Sequence, residues 1–123
     1  MHEKTCFCGK LKIKTPAKPL LHFVCHCKDC DALWNGMYMG LVFPTDEIEL
    51  SGEQRNYSYK AGSGLKLEID FCETCGTRMV SRPEIVDGLT YVPAGLLKNE
   101  IEFTPDVEIF AYNRYQWDGS ASS

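Results

Sequence analysis

Apolar and polar residues alternate strictly over Leu65–Phe71, where Leu65, Leu67, Ile69 and Phe71 are separated by Lys66, Glu68 and Asp70. A period of two places successive side chains on opposite faces, which predicts a strand with one buried and one wet face. Lys10–Thr15 has the same pattern, with Leu11 and Ile13 set against Lys10, Lys12 and Lys14, until Pro16-Ala17-Lys18-Pro19 breaks it. Arg55–Lys60 repeats it with Tyr57 and Tyr59, and Gly62-Ser63-Gly64 makes the turn that follows. Leu20–Val24 and Met37–Phe43 are mostly apolar, as strands covered on both faces are. Shorter strands are predicted over Glu47–Leu50, Arg78–Ser81, Thr90–Val92 and Val107–Tyr112. The one helix candidate is Lys28–Leu33, where Asp29 and Asp31 favour a helix start. The sum is a mainly β domain of short, mostly antiparallel strands.

A chain of 123 residues suits one domain, taken as 1–117, followed by a small, polar tail at 118–123 that is expected to be loose. The 13 basic and 17 acidic residues leave a net charge of −4, and no run of Lys or Arg interrupts that balance. Binding to nucleic-acid phosphates calls for a basic excess, so that class of partner is excluded. The apolar runs stop well short of the ~20 residues a membrane helix needs. Met1-His2-Glu3-Lys4 lacks the apolar core of a signal peptide, so the expected location is cytoplasmic.

The chemistry is concentrated in the 7 cysteines, which fall into three clusters: Cys6-Phe7-Cys8-Gly9, Cys25-His26-Cys27-Lys28-Asp29-Cys30 and Cys72-Glu73-Thr74-Cys75-Gly76. In a reducing compartment such density reads as metal binding or redox chemistry, and an odd count favours metal. Closed structural zinc sites take four protein ligands, whereas catalytic zinc sites keep a position open. The two outer pairs, Cys6 with Cys8 and Cys72 with Cys75, together complete a four-thiolate site. Gly76 can adopt the positive φ that a cysteine knuckle often requires. The middle cluster brings three thiolates to one ion. Its fourth position is left to water, a substrate thiol or a protein group, with His22 and His26 as the nearby rivals. His26 lies between two ligands and should point away from their ion. An open zinc held by thiolates is soft and activates thiols. A redox Cys-x-x-Cys would want a βαβ context, which the pattern does not provide. No glutamate accompanies the cluster in the manner of a metalloprotease or deaminase.

These clusters, with Phe71 before Cys72 and with Gly95-Leu96, Pro105 and Trp117, resemble the glutathione-dependent formaldehyde-activating enzyme (Gfa) family, which also includes centromere-protein-V-like proteins. The resemblance implies a β-tent fold with zinc-bearing turns. It implies two zinc ions per chain: a structural one on Cys6, Cys8, Cys72 and Cys75, and a catalytic one on Cys25, Cys27 and Cys30. The implied activity is a carbon–sulfur lyase reaction, S-(hydroxymethyl)glutathione synthase-like. Its partners would be a thiol such as glutathione and an aldehyde such as formaldehyde. The alternative is a non-enzymatic β-tent zinc-binding interaction module. The chain departs from the family pattern at Asp31, where many members carry arginine, and at Leu97-Lys98, where many continue Gly-x-Leu-Asp.

Glutathione carries two carboxylates, for which Arg55, Lys60, Arg78, Arg82 and Arg114 are the candidate cations. Most such side chains are solvated surface charges. Trp34, Tyr38, Tyr57, Tyr59, Phe43 and Phe71 are aromatics that line a pocket or fill a β core; Phe43 and Phe71 are expected in the core, and Trp34 is a candidate pocket wall. Asp29 and Asp31 read as polar surface positions of the short helix. Tyr112–Trp117, alternately aromatic and polar, is a candidate cover for the site or for a dimer face.

Overall fold

The computed structural model describes residues 1–110. Arg114, Trp117, the Tyr112–Trp117 segment and the tail at 118–123 lie outside the described residues. Among the described residues ten strands form two sheets. In chain order these are β1 (His2–Thr5), β2 (Leu11–Thr15), β3 (Leu21–Cys25), β4 (Tyr38–Pro44), β5 (Glu49–Gly52), β6 (Gln54–Lys60), β7 (Lys66–Cys72), β8 (Arg78–Pro83), β9 (Leu89–Pro93) and β10 (Val107–Ile109). The one α-helix among the described residues, α1, spans Lys28–Trp34, close to the segment predicted.

The small sheet runs β1-β2-β5 and the large one β10-β3-β4-β9-β8-β7-β6. Neighbouring strands pair antiparallel except β10, which lies parallel to β3 with Val107 opposite Phe23 and Ile109 opposite Cys25. Strand β1 has no counterpart in the hydrophobic pattern. His-Glu-Lys-Thr carries no apolar side chain, so only its backbone ladder to β2 makes it a strand. Leu65 falls in the turn before β7 and is exposed, so that strand begins one residue later than predicted.

Register divides the large sheet into two faces. Leu41 and Phe43 of β4, Val92 of β9, Val80 of β8 and Cys72 of β7 share the inner face. They pack against Leu11 and Ile13 of the small sheet and against Leu97, in one core cluster. Leu11, Ile13, Phe43, Val92 and Leu97 are all completely buried. Leu97, one of the two departures from the family pattern, is thus a core residue. The outer face carries Cys25 and Phe23 of β3, Tyr38, Gly40 and Val42 of β4, and Tyr91 of β9, in a second cluster with Trp34 of α1. Phe43 is core as expected, whereas Phe71 is only half-buried, since its strand turns that side chain to the outer face.

Gly40 is a position where the outer face tolerates no side chain. A Cβ there would lie 2.4 Å from Cε1 of Phe23 and 2.6 Å from Cε2 of Tyr38. Both rings would have to move in a packed cluster. Gly40→Ala is expected to lower stability by about 1–3 kcal/mol, read as a lower urea midpoint at unchanged slope.

Candidate metal centres

Each outer cysteine pair lies in a turn that a glycine closes. Gly9 N–H donates to the Cys6 carbonyl at 3.1 Å, and Gly76 N–H to the Cys72 carbonyl at 2.9 Å. Leu11 N–H donates to Cys6 Sγ at 3.3 Å, and Cys75 N–H to Cys72 Sγ at 3.5 Å. Gly9 and Gly76 close these turns at φ 83° and 80°, where a side chain would be strained. Phe7 N–H donates to Thr77 Oγ1 at 3.2 Å, tying one knuckle to the other.

The Sγ atoms of Cys6, Cys8, Cys72 and Cys75 all lie within 4.8 Å of one another. Cys6 to Cys8 and Cys8 to Cys72 are each 3.6 Å apart. A tetrahedron of thiolates about 2.3 Å from one ion has edges of about 3.8 Å, while a disulfide needs about 2.05 Å. The spacing fits a shared ion, and all seven cysteines are free thiols. Cys75 is drawn down to about 5 by hydrogen bonding to the Thr77 hydroxyl and backbone. Burial opposes ionisation of Cys6, but the Leu11 N–H and neighbouring thiols pull it below the usual thiol value. The Lys10 backbone favours the Cys8 thiolate, yet burial and the neighbouring thiols push that group up to about 11.

The middle cluster lies on the other face of the large sheet. Cys25 ends β3, Cys27 caps the N-terminus of α1, and Cys30 sits in its first turn. Cys27 Sγ accepts the Cys30 N–H at 3.2 Å, the role an N-cap side chain plays for an orphan donor. The three Sγ atoms also lie within 4.8 Å of one another. Hydrogen bonding from Cys30 draws Cys25 down to about 6 against the effect of burial. The same contact raises Cys30, and burial raises Cys27.

Neither histidine joins this cluster. His26 is buried and meets Glu108 Oε1 of β10 through Nε2 at 2.6 Å. Glu108 stands opposite Val24 on β3, so His26 is directed to the sheet face away from Cys25. His22 accepts the Thr104 N–H at Nδ1, 3.2 Å away, and stacks on Phe103. The three thiols therefore stand without an imidazole. Asp29 and Asp31 are exposed on α1, as expected.

Aromatic residues surround the three thiols. Trp34 packs on Tyr38 at 4.7 Å between ring centroids, and Phe23 meets Tyr91 at 4.8 Å. Trp34 thus packs in the same cluster as the three cysteines. Burial raises the Tyr38, Tyr59 and Tyr91 hydroxyls, and the charges of Cys25 and Cys30 act on all three in the same direction. The Tyr38 hydroxyl is completely buried and meets no hydrogen-bond partner among the described residues. The side chain nearest in effect to it is Ser81, which favours the ionised hydroxyl against burial. The donor sets themselves, four thiols and three, suit a thiophilic divalent ion. Sequence reasoning named Tyr38 among aromatics that could line a pocket or fill the core, and did not name Tyr91. Their period-two positions were legible, but the face they occupy depends on strand order.

Protons compete with a metal for thiolates. Loading the three-cysteine site near pH 7.5 is expected to release about two protons, from the raised Cys27 and Cys30. Affinity should then fall about 100-fold per pH unit on acidification, more steeply once Cys25 also protonates near about 6. Calorimetry of the second metal equivalent in buffers of different ionisation enthalpy measures that number.

Fold and donor sets together define a small β protein with cysteine clusters able to hold metal on both faces of its large sheet. The chain belongs to the glutathione-dependent formaldehyde-activating enzyme family, whose sequence profile matches residues 1–113. Its fold is the mainly β, β-tent arrangement with cysteine-bearing turns. A crystal structure of a Rhodobacter sphaeroides protein is similar at a TM-score of 0.61 and 16% identity, over 88% of this chain and 99% of that one, a likeness of fold. No curated protein sequence matches the chain. Among the described residues no helix is long and apolar enough to cross a membrane.

Proposed function

We propose that this protein is a zinc-dependent carbon–sulfur lyase of the Gfa type, which forms or cleaves the adduct of a glutathione-like thiol and a small aldehyde. The observation that carries this reading is the three-cysteine cluster with both neighbouring histidines committed elsewhere. An ion held by Cys25, Cys27 and Cys30 retains a position for an outside ligand. Cys6, Cys8, Cys72 and Cys75 hold the second, structural zinc.

In the forming direction a carbon–sulfur bond is made, the carbonyl π bond opens, and the thiol proton ends on the oxygen as a hydroxymethyl group. Cleavage reverses each change. Zinc at the open site would supply Lewis acidity and favour the substrate thiolate. The chain's own residues set the surroundings. Phe23, Trp34, Tyr38 and Tyr91 pack in one cluster with the three thiols. Seven cysteines in metal-binding clusters support a reducing compartment, and the cytoplasm is the proposed location.

The reading is tested by NMR exchange between formaldehyde, glutathione and their adduct in the presence of zinc-loaded protein. Exchange faster than buffer supports it. A rate equal to the buffer control removes the glutathione–formaldehyde assignment.

A further inference from the structure

Three arginines lie among the described residues, and two of them meet carboxylates: Arg55 meets Glu73 at 3.4 Å and Arg82 meets Asp70. Arg78 meets none among the described residues, although it is half-buried. It opens β8 opposite Phe71, on the outer face of the large sheet. Its guanidinium lies 4.9 Å from the Trp34 ring centroid, and Nη1 donates to the Leu33 carbonyl. Both partners end α1, one helical turn (about 5 Å) beyond Cys30.

A guanidinium offers five N–H donors in a fixed planar fork, and this one spends a single donor on Leu33. Partial burial of a cation without a counter-anion is costly, and the indole face offsets only part of that cost. The free edge matches a carboxylate, which accepts two parallel N–H donors. Local charge points the same way. Three thiolates around a divalent ion leave one net negative charge, and a substrate thiolate adds another. An anionic substrate would meet repulsion there unless a cation stood beside the site.

We propose that Arg78 anchors a carboxylate of the thiol substrate while the sulfur occupies the three-cysteine site. This rests on the thiol–aldehyde reading above and adds the selection of acidic over neutral thiols by a residue outside the cysteine clusters. Arg78 is a specificity residue in this account, since it touches the substrate at a distance from the bonds that change.

The test is calorimetric titration of zinc-loaded protein with glutathione and with its diethyl ester. Glutathione is expected to bind about 10- to 100-fold more tightly than the ester, the range for a charged hydrogen bond. Arg78→Met should bring glutathione down to the ester's affinity and leave the ester unchanged. Arg78→Lys should fall between, because it keeps the charge and loses the fork. Metal content and circular dichroism of each variant must match the parent. In adduct formation Arg78→Met should raise the KM for glutathione and spare kcat. Equal weakening of both ligands would give Arg78 only the role of holding the end of α1, and would overturn the inference alone. Equal parent affinity for acid and ester would also overturn it alone. Failure of both thiols to bind the parent would remove the thiol–aldehyde reading and the inference with it.

Discussion

Replacing Cys72 with serine is expected to leave the chain unfolded at 25 °C and to reduce its metal content below one equivalent. Cys72 is almost completely buried, and its Sγ accepts the Cys75 N–H and lies 3.6 Å from Cys8. It belongs both to the core cluster and to the four-thiol site. That site links the N-terminal knuckle, which leads into the small sheet, to the end of β7 in the large one. Structural zinc contributes about 10–16 kcal/mol of apparent binding free energy in zinc-finger peptides, and such a domain is stable by about 5–15 kcal/mol in total. Losing one thiolate and burying an ill-matched hydroxyl removes enough of the first quantity to exhaust the second. Circular dichroism and metal analysis of the purified variant check both parts. A folded variant retaining both metals would contradict the structural role. Cys8→Ser should behave alike although Cys8 is exposed, because the loss comes from coordination more than from packing.

The grouping of the cysteines was legible because ligands contributed by one turn are neighbours in sequence. Cys6 with Cys8 and Cys72 with Cys75 needed only the complementary count to be joined. The placement of the two clusters on opposite faces of the large sheet was not legible. It depends on the parity of Cys25 and Cys72 along strands whose order, β3-β4-β9-β8-β7, no local pattern encodes. Strand β1 was invisible because its four residues carry no hydrophobic period, and the parallel pairing of β10 is a long-range matter. His26 could be read as pointing away from the ion, since it stands between two cysteines. Its partner Glu108 lies 82 residues away, beyond any spacing rule. Arg78 was one of five candidate cations, with nothing in the sequence to set it apart from an ordinary surface charge. Only the packing of α1 on the outer face puts Trp34 under its guanidinium.

Cys27→Ser should have the opposite profile to Cys72→Ser: a folded chain, one metal equivalent instead of two, and adduct exchange at the buffer rate. The fold is retained for a local reason. Cys27 caps α1 by accepting the Cys30 N–H at 3.2 Å, and serine is among the preferred residues at that position. The helix start therefore keeps its hydrogen bond, and Cys27 is not part of the main core cluster. Stability should change by no more than about 1–2 kcal/mol relative to the parent with one metal removed. Coordination responds differently. A serine hydroxyl is a poor ligand for a thiophilic ion, and the two remaining thiols hold it weakly, as a pair alone does. If the three-cysteine site carries the reaction, exchange between formaldehyde, glutathione and their adduct then loses its catalysed component, while the four-thiol metal stays bound. Unfolding of Cys27→Ser would instead make the middle cluster a second structural site, and unchanged exchange with both metals present would remove Cys27 from the ligand set. The contrast between the two serine variants, one losing the fold and the other only the chemistry, separates the two cysteine clusters by function.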